Sequence, residues 1–107
     1  MWLKEIRVRL RPGQAHEFWQ AQSVWNDESA QCAGYLGTIE ARPDKDQALL
    51  LVFWKDRDSL DRFMRDDHDR IAAVAHSDTY YESIRVSQFE ANVVEESLAR
   101  AFSDQST

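Results

Sequence analysis

A chain of 107 residues, 43% apolar and 30% charged, has room for one compact domain and not for two. Its net charge of −6 repels phosphate backbones and anionic lipid at long range, so neither nucleic acid nor a membrane is an expected partner. The lone cysteine, Cys32, cannot form an intrachain disulfide, "MWLKEIRVRL" lacks the apolar core of a signal peptide, and no apolar run is long enough to cross a bilayer; the expected setting is cytoplasmic.

In "WLKEIRVRL" the apolar residues Ile6, Val8 and Leu10 alternate with Glu5, Arg7 and Arg9, which predicts a strand with one oily face ending near Leu10. Pro12 and Gly13 break it. From Gln14 to about Glu28 the period lengthens: Ala15, Phe18, Ala21, Gln22 and Trp25 fall on one face of an amphipathic helix, with His16, Gln20, Ser23 and Asp27 opposite. "CAGYLGTIEA" reads as a second strand whose glycines allow a bulge, and "RPDKD" as the turn after it. "QALLLVFW" is a third strand, apolar without alternation, so both of its faces are expected to be buried.

Asp56 is placed to cap a second helix carrying Leu60, Phe63 and Met64. That helix should break within "RDDHD", because Asp67 would otherwise fall on its apolar face, and a short turn from Asp69 to His76 follows. "YYESIRVSQFEA" alternates as a fourth strand, with Glu82, Ile84, Val86 and Gln88 on one side and Tyr81, Ser83, Arg85 and Phe89 on the other. After it, Asn92 and Glu95 resemble a capping box, and Val94, Leu98, Ala101 and Phe102 form a weak stripe for a short terminal helix. The order is βαββαβ, which predicts a ferredoxin-like α+β sandwich with an antiparallel four-stranded sheet over residues 1–90, and a short helix and tail over 91–107. Both helices then cover one sheet face. The other face is oily through the third strand, so a second copy of the chain is the expected cover and a homodimer the expected assembly. Four Trp, three Tyr and five Phe are a large apolar load for a domain of this size, consistent with a core and an interface sharing it. Arg7, Arg9, Glu40 and Arg85 are expected as ion pairs of that interface.

The stretch "FMRDDHDRIAAVAH" raises the question of a metal or a catalytic base. His68 and His76 are two helical turns apart, too far along one helix to share an ion, and the aspartates serve as caps and solvated charge; no metal is expected. His68 itself has two readings, a helix-start residue bonded to a neighbouring carboxylate such as Asp66 or Asp67, or a general base facing a pocket, since imidazole exchanges a proton near neutral pH. Gln22 is the odd polar residue among Phe18 and Trp25, either satisfied by backbone or water or reaching a ligand inside an aromatic cavity. Trp25, Trp54 and Phe63 are core residues in the plainer reading and cavity walls in the other, and a hydroxyl on Tyr80 or Tyr81 has the reach to orient a ligand. Cys32 has no basic neighbour to activate it. No nucleophile elbow, phosphate loop or nucleotide fingerprint occurs.

With that element order, the chain resembles the dimeric α+β barrel superfamily, which contains the antibiotic biosynthesis monooxygenases and the heme-degrading monooxygenases, and most nearly the uncharacterised YdbC-like domain. The residues that carry the narrower likeness are "MWLKEIRVRL", "EFWQAQSVWNDES", "GYLGTIEA", "FWKDRDSLDRFMRDDHDRI" and "YYESIRVSQF", spanning residues 1 to 89. The monooxygenase pattern has an aromatic at the end of the third strand, a residue nine positions on and a histidine five beyond; these fall on Trp54, Phe63 and His68. Heme-degrading members have an indole at the middle position, an iron-ligating histidine near residue 73 and an asparagine in the first strand. Phe63, Ala73 and a strand of charged and apolar residues stand there instead, so no heme or other cofactor is expected. The resemblance implies a cofactor-independent monooxygenase with a pocket for a small aromatic substrate. His68 is its candidate catalytic residue, and Gln22, Trp25, Trp54, Phe63 and Tyr81 are its candidate ligand contacts. The alternative is a non-catalytic dimeric module that binds a small apolar or aromatic ligand.

Overall fold

The computed structural model describes residues 1–98 and 100. The elements are β1 (Trp2–Leu10), α1 (Ala15–Ser29), β2 (Tyr35–Asp44), β3 (Gln47–Trp54), α2 (Arg57–Asp66), α3 (His68–Ala75), a 3-10 turn over Ser77–Tyr80 and β4 (Tyr81–Glu90). The strands pair antiparallel in the order β2-β3-β1-β4, so each helical crossover spans one intervening strand. This is the ferredoxin-like α+β sandwich read from the sequence.

The alternation of β1 decides which side the helices take. Val8 and Leu10, with Ala48 and Leu50 from β3, close over Phe18 of α1, and Trp54 packs with Leu60, Phe63 and Ile71 from α2 and α3. Each Val, Leu, Ile or Phe among them withdrawn from water contributes about 1.5–3 kcal/mol. On the opposite face Leu49, Leu51 and Phe53 are half-buried, while Ile39 and Phe89 are 49% and 41% exposed, so β3 is apolar on both sides as its sequence implies.

Asp56 caps α2 as expected, its carboxylate accepting from Ser59 N at 2.8 Å. The helix stops at Asp66, and Asp67 leaves helical geometry with φ −126°, which lets α3 start in a new direction at His68.

Three local expectations are corrected. β2 runs on through Arg42, Pro43 and Asp44, leaving Lys45 and Asp46 as the turn; Pro43 is tolerated because β2 is an edge strand and its register shifts between Ala41 and Asp44. Glu40 pairs opposite Leu50, so it faces the helices rather than the bare sheet face. Tyr81 pairs opposite Leu10 across a bulge, which moves it onto the helix-covered face with Ile84 and Val86 instead of beside Arg85 and Phe89. At the C-terminal end residues 95–98 are helical, with Leu98 N donating to Val94 O at 3.1 Å; Ala101 and Phe102 of the expected stripe lie outside the described residues.

Candidate functional site

Between the two core clusters lies a cavity of about 610 Å³, roofed by helices and floored by the sheet. The sheet contributes Lys4, Ile6, Val52 and Trp54; α1 contributes Phe18, Gln22, Trp25 and Asn26. Phe63, His68 and Ala73 enter from α2 and α3, and Ser77 and Tyr81 from the chain leading into β4. Ile84 and Val86 line it too, yet they are 45% and 48% exposed, so the β4 side is open to solvent. The volume falls in the range of small-molecule sites.

All six residues singled out from the sequence, Gln22, Trp25, Trp54, Phe63, His68 and Tyr81, lie on this one cavity. Their spacing explains why. The break at Asp67 turns His68 back toward α1, and the bulge at Arg9 and Leu10 turns Tyr81 inward. His68 stacks against Trp25 with ring centroids 5.2 Å apart and meets Phe63 edge-on at 6.2 Å, and Phe63 packs on Trp54 at 4.8 Å. The result is a continuous aromatic wall. Trp25 Nε1 donates to Ser77 Oγ at 3.1 Å, tying that wall to the 3-10 turn.

The two readings of His68 are both present in part. Its Nδ1 lies 3.1 Å from Asp69 Oδ1; a carboxylate only accepts, so Nδ1 is the donor, and in the neutral ring Nε2 is then an acceptor. The carboxylate is Asp69, not Asp66 or Asp67, which are held by Arg65 and Arg70. Gln22, 6% exposed, donates through Nε2 to Asn26 Oδ1 at 2.9 Å, and Asn26 Nδ2 donates to Glu40 Oε2 at 3.1 Å. That relay explains where Glu40 goes. It also leaves Gln22 Oε1 with no donor among the described residues.

Lys4 was missed as a cavity residue, although the period of β1 puts position 4 on the same face as Ile6, Val8 and Leu10. It is 9% exposed, and burial holds its amine below the ordinary lysine range. Burial, with Asp78 nearby, raises the Tyr81 hydroxyl, which therefore stays a neutral phenol. Burial and then the Asp67 carboxylate raise the Cys32 thiol, so no activated nucleophile resides there. Ala73 and His76 both border the cavity, and His76 closes α3 in the left-handed conformation at φ 53°. Among the described residues no group of three His, Cys, Asp or Glu side chains converges as a metal site, and no helix is long and apolar enough to cross a membrane.

The fold recurs among solved structures. SnoaB of Streptomyces nogalater, a cofactor-independent oxygenase, superposes with a TM-score of 0.74 at 14% identity over 88% of this chain and 95% of that one. An antibiotic biosynthesis monooxygenase matches with a TM-score of 0.68 at 14% identity, covering 87% of this chain and 100% of that one. A conserved protein from Methanosarcina mazei Go1 matches at 0.71 and 16% identity, covering 86% and 94%. At these identities the likeness establishes the shared fold alone. No curated protein sequence matches the chain. A family model matches residues 2–89, nearly the whole folded part, and the chain belongs to that family, described as a domain of unknown function, DUF4937.

Proposed function

We propose that the chain is a YdbC-like, cofactor-independent oxygenase of the antibiotic biosynthesis monooxygenase type that acts on a small electron-rich aromatic compound in a cytoplasmic setting. The observation that carries this reading is His68, whose ring stands in the aromatic wall of the cavity with Nδ1 bonded to Asp69, which in the neutral ring leaves Nε2 as an acceptor. The substrate supplies the chemistry that a cofactor supplies elsewhere. Nε2 of His68 takes a proton from a phenol or from an activated methylene, leaving an electron-rich anion stacked among Trp25, Phe63 and Trp54. The anion reduces dioxygen; one oxygen atom becomes a carbonyl, on the methylene or on the ring C–H carbon para to a phenol's oxygen, and the other leaves as water with the methylene's two hydrogens or with the phenol's O–H and C–H hydrogens. Gln22 and Tyr81 supply the polar contacts that orient the ring.

The bare sheet face supports a homodimer as the working unit. Leu49, Leu51 and Phe53 of β3 with Ile39 of β2 and Phe89 of β4 make this face largely apolar, with the Arg7–Glu5 pair of β1, at 2.8 Å, lying between β3 and β4.

Oxygen uptake with a panel of phenols and hydroquinones, run beside binding titrations on Trp fluorescence, tests the reading. Uptake abolished by His68→Ala is the expected result. Tight binding of the same compounds with no uptake from any would replace it with the non-catalytic ligand-binding module.

A further inference from the structure

The buried amine of Lys4 has no role in the reading above, and its surroundings give it one. Its Nζ has a single described partner, Met64 Sδ at 3.4 Å, and a thioether is a weak acceptor that carries no charge. Lys4 forms no ion pair among the described residues, although seven pairs occur elsewhere on the same fold. A lysine this buried is ordinarily matched by a carboxylate, because an isolated ammonium away from water is costly. The charged and titratable groups that share the cavity sit elsewhere. Asp69, Asp78 and His76 are exposed at its mouth, His68 is on the helix wall and Tyr81 is on the β4 side. On the sheet side Lys4 lies between Val52 of β3 and Gln88 of β4, with Ile6 and Trp54 beside it, and Gln88 Oε1 already accepts from Trp2 Nε1 at 3.0 Å. Trp54 Nε1 is itself fully buried with no acceptor among the described residues, so this end of the cavity holds more donors than free acceptors.

We propose that Lys4 is the oxyanion seat of the cavity, and that the ligand class is phenols or enols bound as their anions with the charged oxygen on Nζ. This rests on the reading of the cavity as a site for small aromatic compounds, and it narrows that class to compounds with an ionisable ring oxygen or enol. Proton transfer and charge placement are then divided between two residues on opposite walls: His68 receives the proton and Lys4 holds the oxygen it left. A carboxylate ligand fits less well, since it arrives already ionised and has no use for His68. Burial lowers the affinity of the empty site's amine for its proton, and an anion on Nζ restores it; the ligand supplies the counter-ion that the fold withholds.

The test compares para-nitrophenol with its methyl ether, para-nitroanisole, which has the same ring but no acidic oxygen. Trp fluorescence gives the affinities, and the visible phenolate band gives the ionisation state of the bound phenol. In the wild-type protein the phenol is expected to bind roughly 10-fold or more tighter than the ether, the size of one charge-assisted hydrogen bond. It should also show the phenolate band below the pH at which the free compound ionises. Lys4→Met, which keeps the side chain as far as the ε-carbon and removes the charged nitrogen, should bring the two affinities together and remove the band. Equal binding of phenol and ether by the wild-type protein overturns the seat while leaving the aromatic cavity intact, and this comparison needs no variant. Phenolate retained in a folded Lys4→Met protein overturns it as well. Failure of both compounds to bind overturns the seat and the aromatic reading together.

Discussion

The imidazole of His68 lies against the indole of Trp25, centroids 5.2 Å apart and planes inclined at 41°, so a residue at a helix start on one side of the cavity is positioned by a helix from the other side. Its side chain is 31% exposed, and the carboxylate it bonds, Asp69, is fully exposed. Such a ring contributes little to stability. His68→Ala is expected to cost at most about 1 kcal/mol in urea denaturation, while weakening ligand binding or abolishing oxygen uptake. A variant that loses several times that stability and keeps its activity would assign His68 to structure alone.

Sedimentation of the wild-type protein at micromolar concentration should give a dimer of about 25 kDa from the 12.5 kDa chain. The interface is expected to be the bare sheet face, so Leu51→Glu, which puts a charge in the middle of that face opposite Ile39 and Glu5, should shift the protein to monomer. A stable wild-type monomer contradicts the assignment.

Gly34 sits just before β2 with φ +87°, and a Cβ there would run into Ser59 Oγ and Cβ. Ser59 cannot retreat, because its N and Oγ both donate to Asp56 at the start of α2. Gly34→Ala is expected to lower stability by about 1–3 kcal/mol, from the left-handed backbone and the collision together. Calorimetry checks it. Gly13 has a positive φ as well but open space around it, so Gly13→Ala should incur only the smaller, conformational part.

These sites differ in how far the sequence announced them. The helix–strand order, the cap at Asp56 and the break before His68 follow from local chemistry: periodicity, a capping aspartate and an acidic residue that cannot lie on an apolar face. The face of Tyr81 did not, because a one-residue bulge reverses every inside–outside assignment before it, and nothing in "YYES" distinguishes a bulged strand from a regular one. Glu40 was misjudged for a related reason: its partner is Asn26, fourteen residues away, and only the packed fold brings them together. Lys4 was legible in principle. The alternation that placed Ile6, Val8 and Leu10 inside extends back to position 4, and a charged residue on an oily stripe is itself a signal.

Hemin offers a test of the pocket's chemistry. Phe63 takes the place of the indole in the heme-degrading pattern, and Ala73, at the edge of the cavity, has no donor atom. Stoichiometric hemin is therefore expected to give no sharp Soret band. A sharp band abolished by His76→Ala would instead identify His76, which borders the same cavity, as an axial ligand.

Lys4 makes a prediction about pH that does not depend on any ligand. Burial puts the folded-state pKa of this amine below its unfolded value. Below the folded value both states hold the proton and the cost of burying the ammonium is felt in full. Between the two values the unfolded chain binds more protons than the folded one, so this residue's contribution to stability rises with pH across that window. Lys4→Met removes the amine and fills most of the space it occupies with an apolar side chain. The variant should accordingly be at least as stable as the wild-type protein at neutral pH, and its advantage should shrink as the pH is raised into the alkaline range. Melting temperatures of the two proteins across that range give the difference directly. A variant that is less stable at neutral pH, with a deficit that closes at high pH, would mean that the ammonium has a counter-ion in the folded protein and that the cavity is not short of an anion.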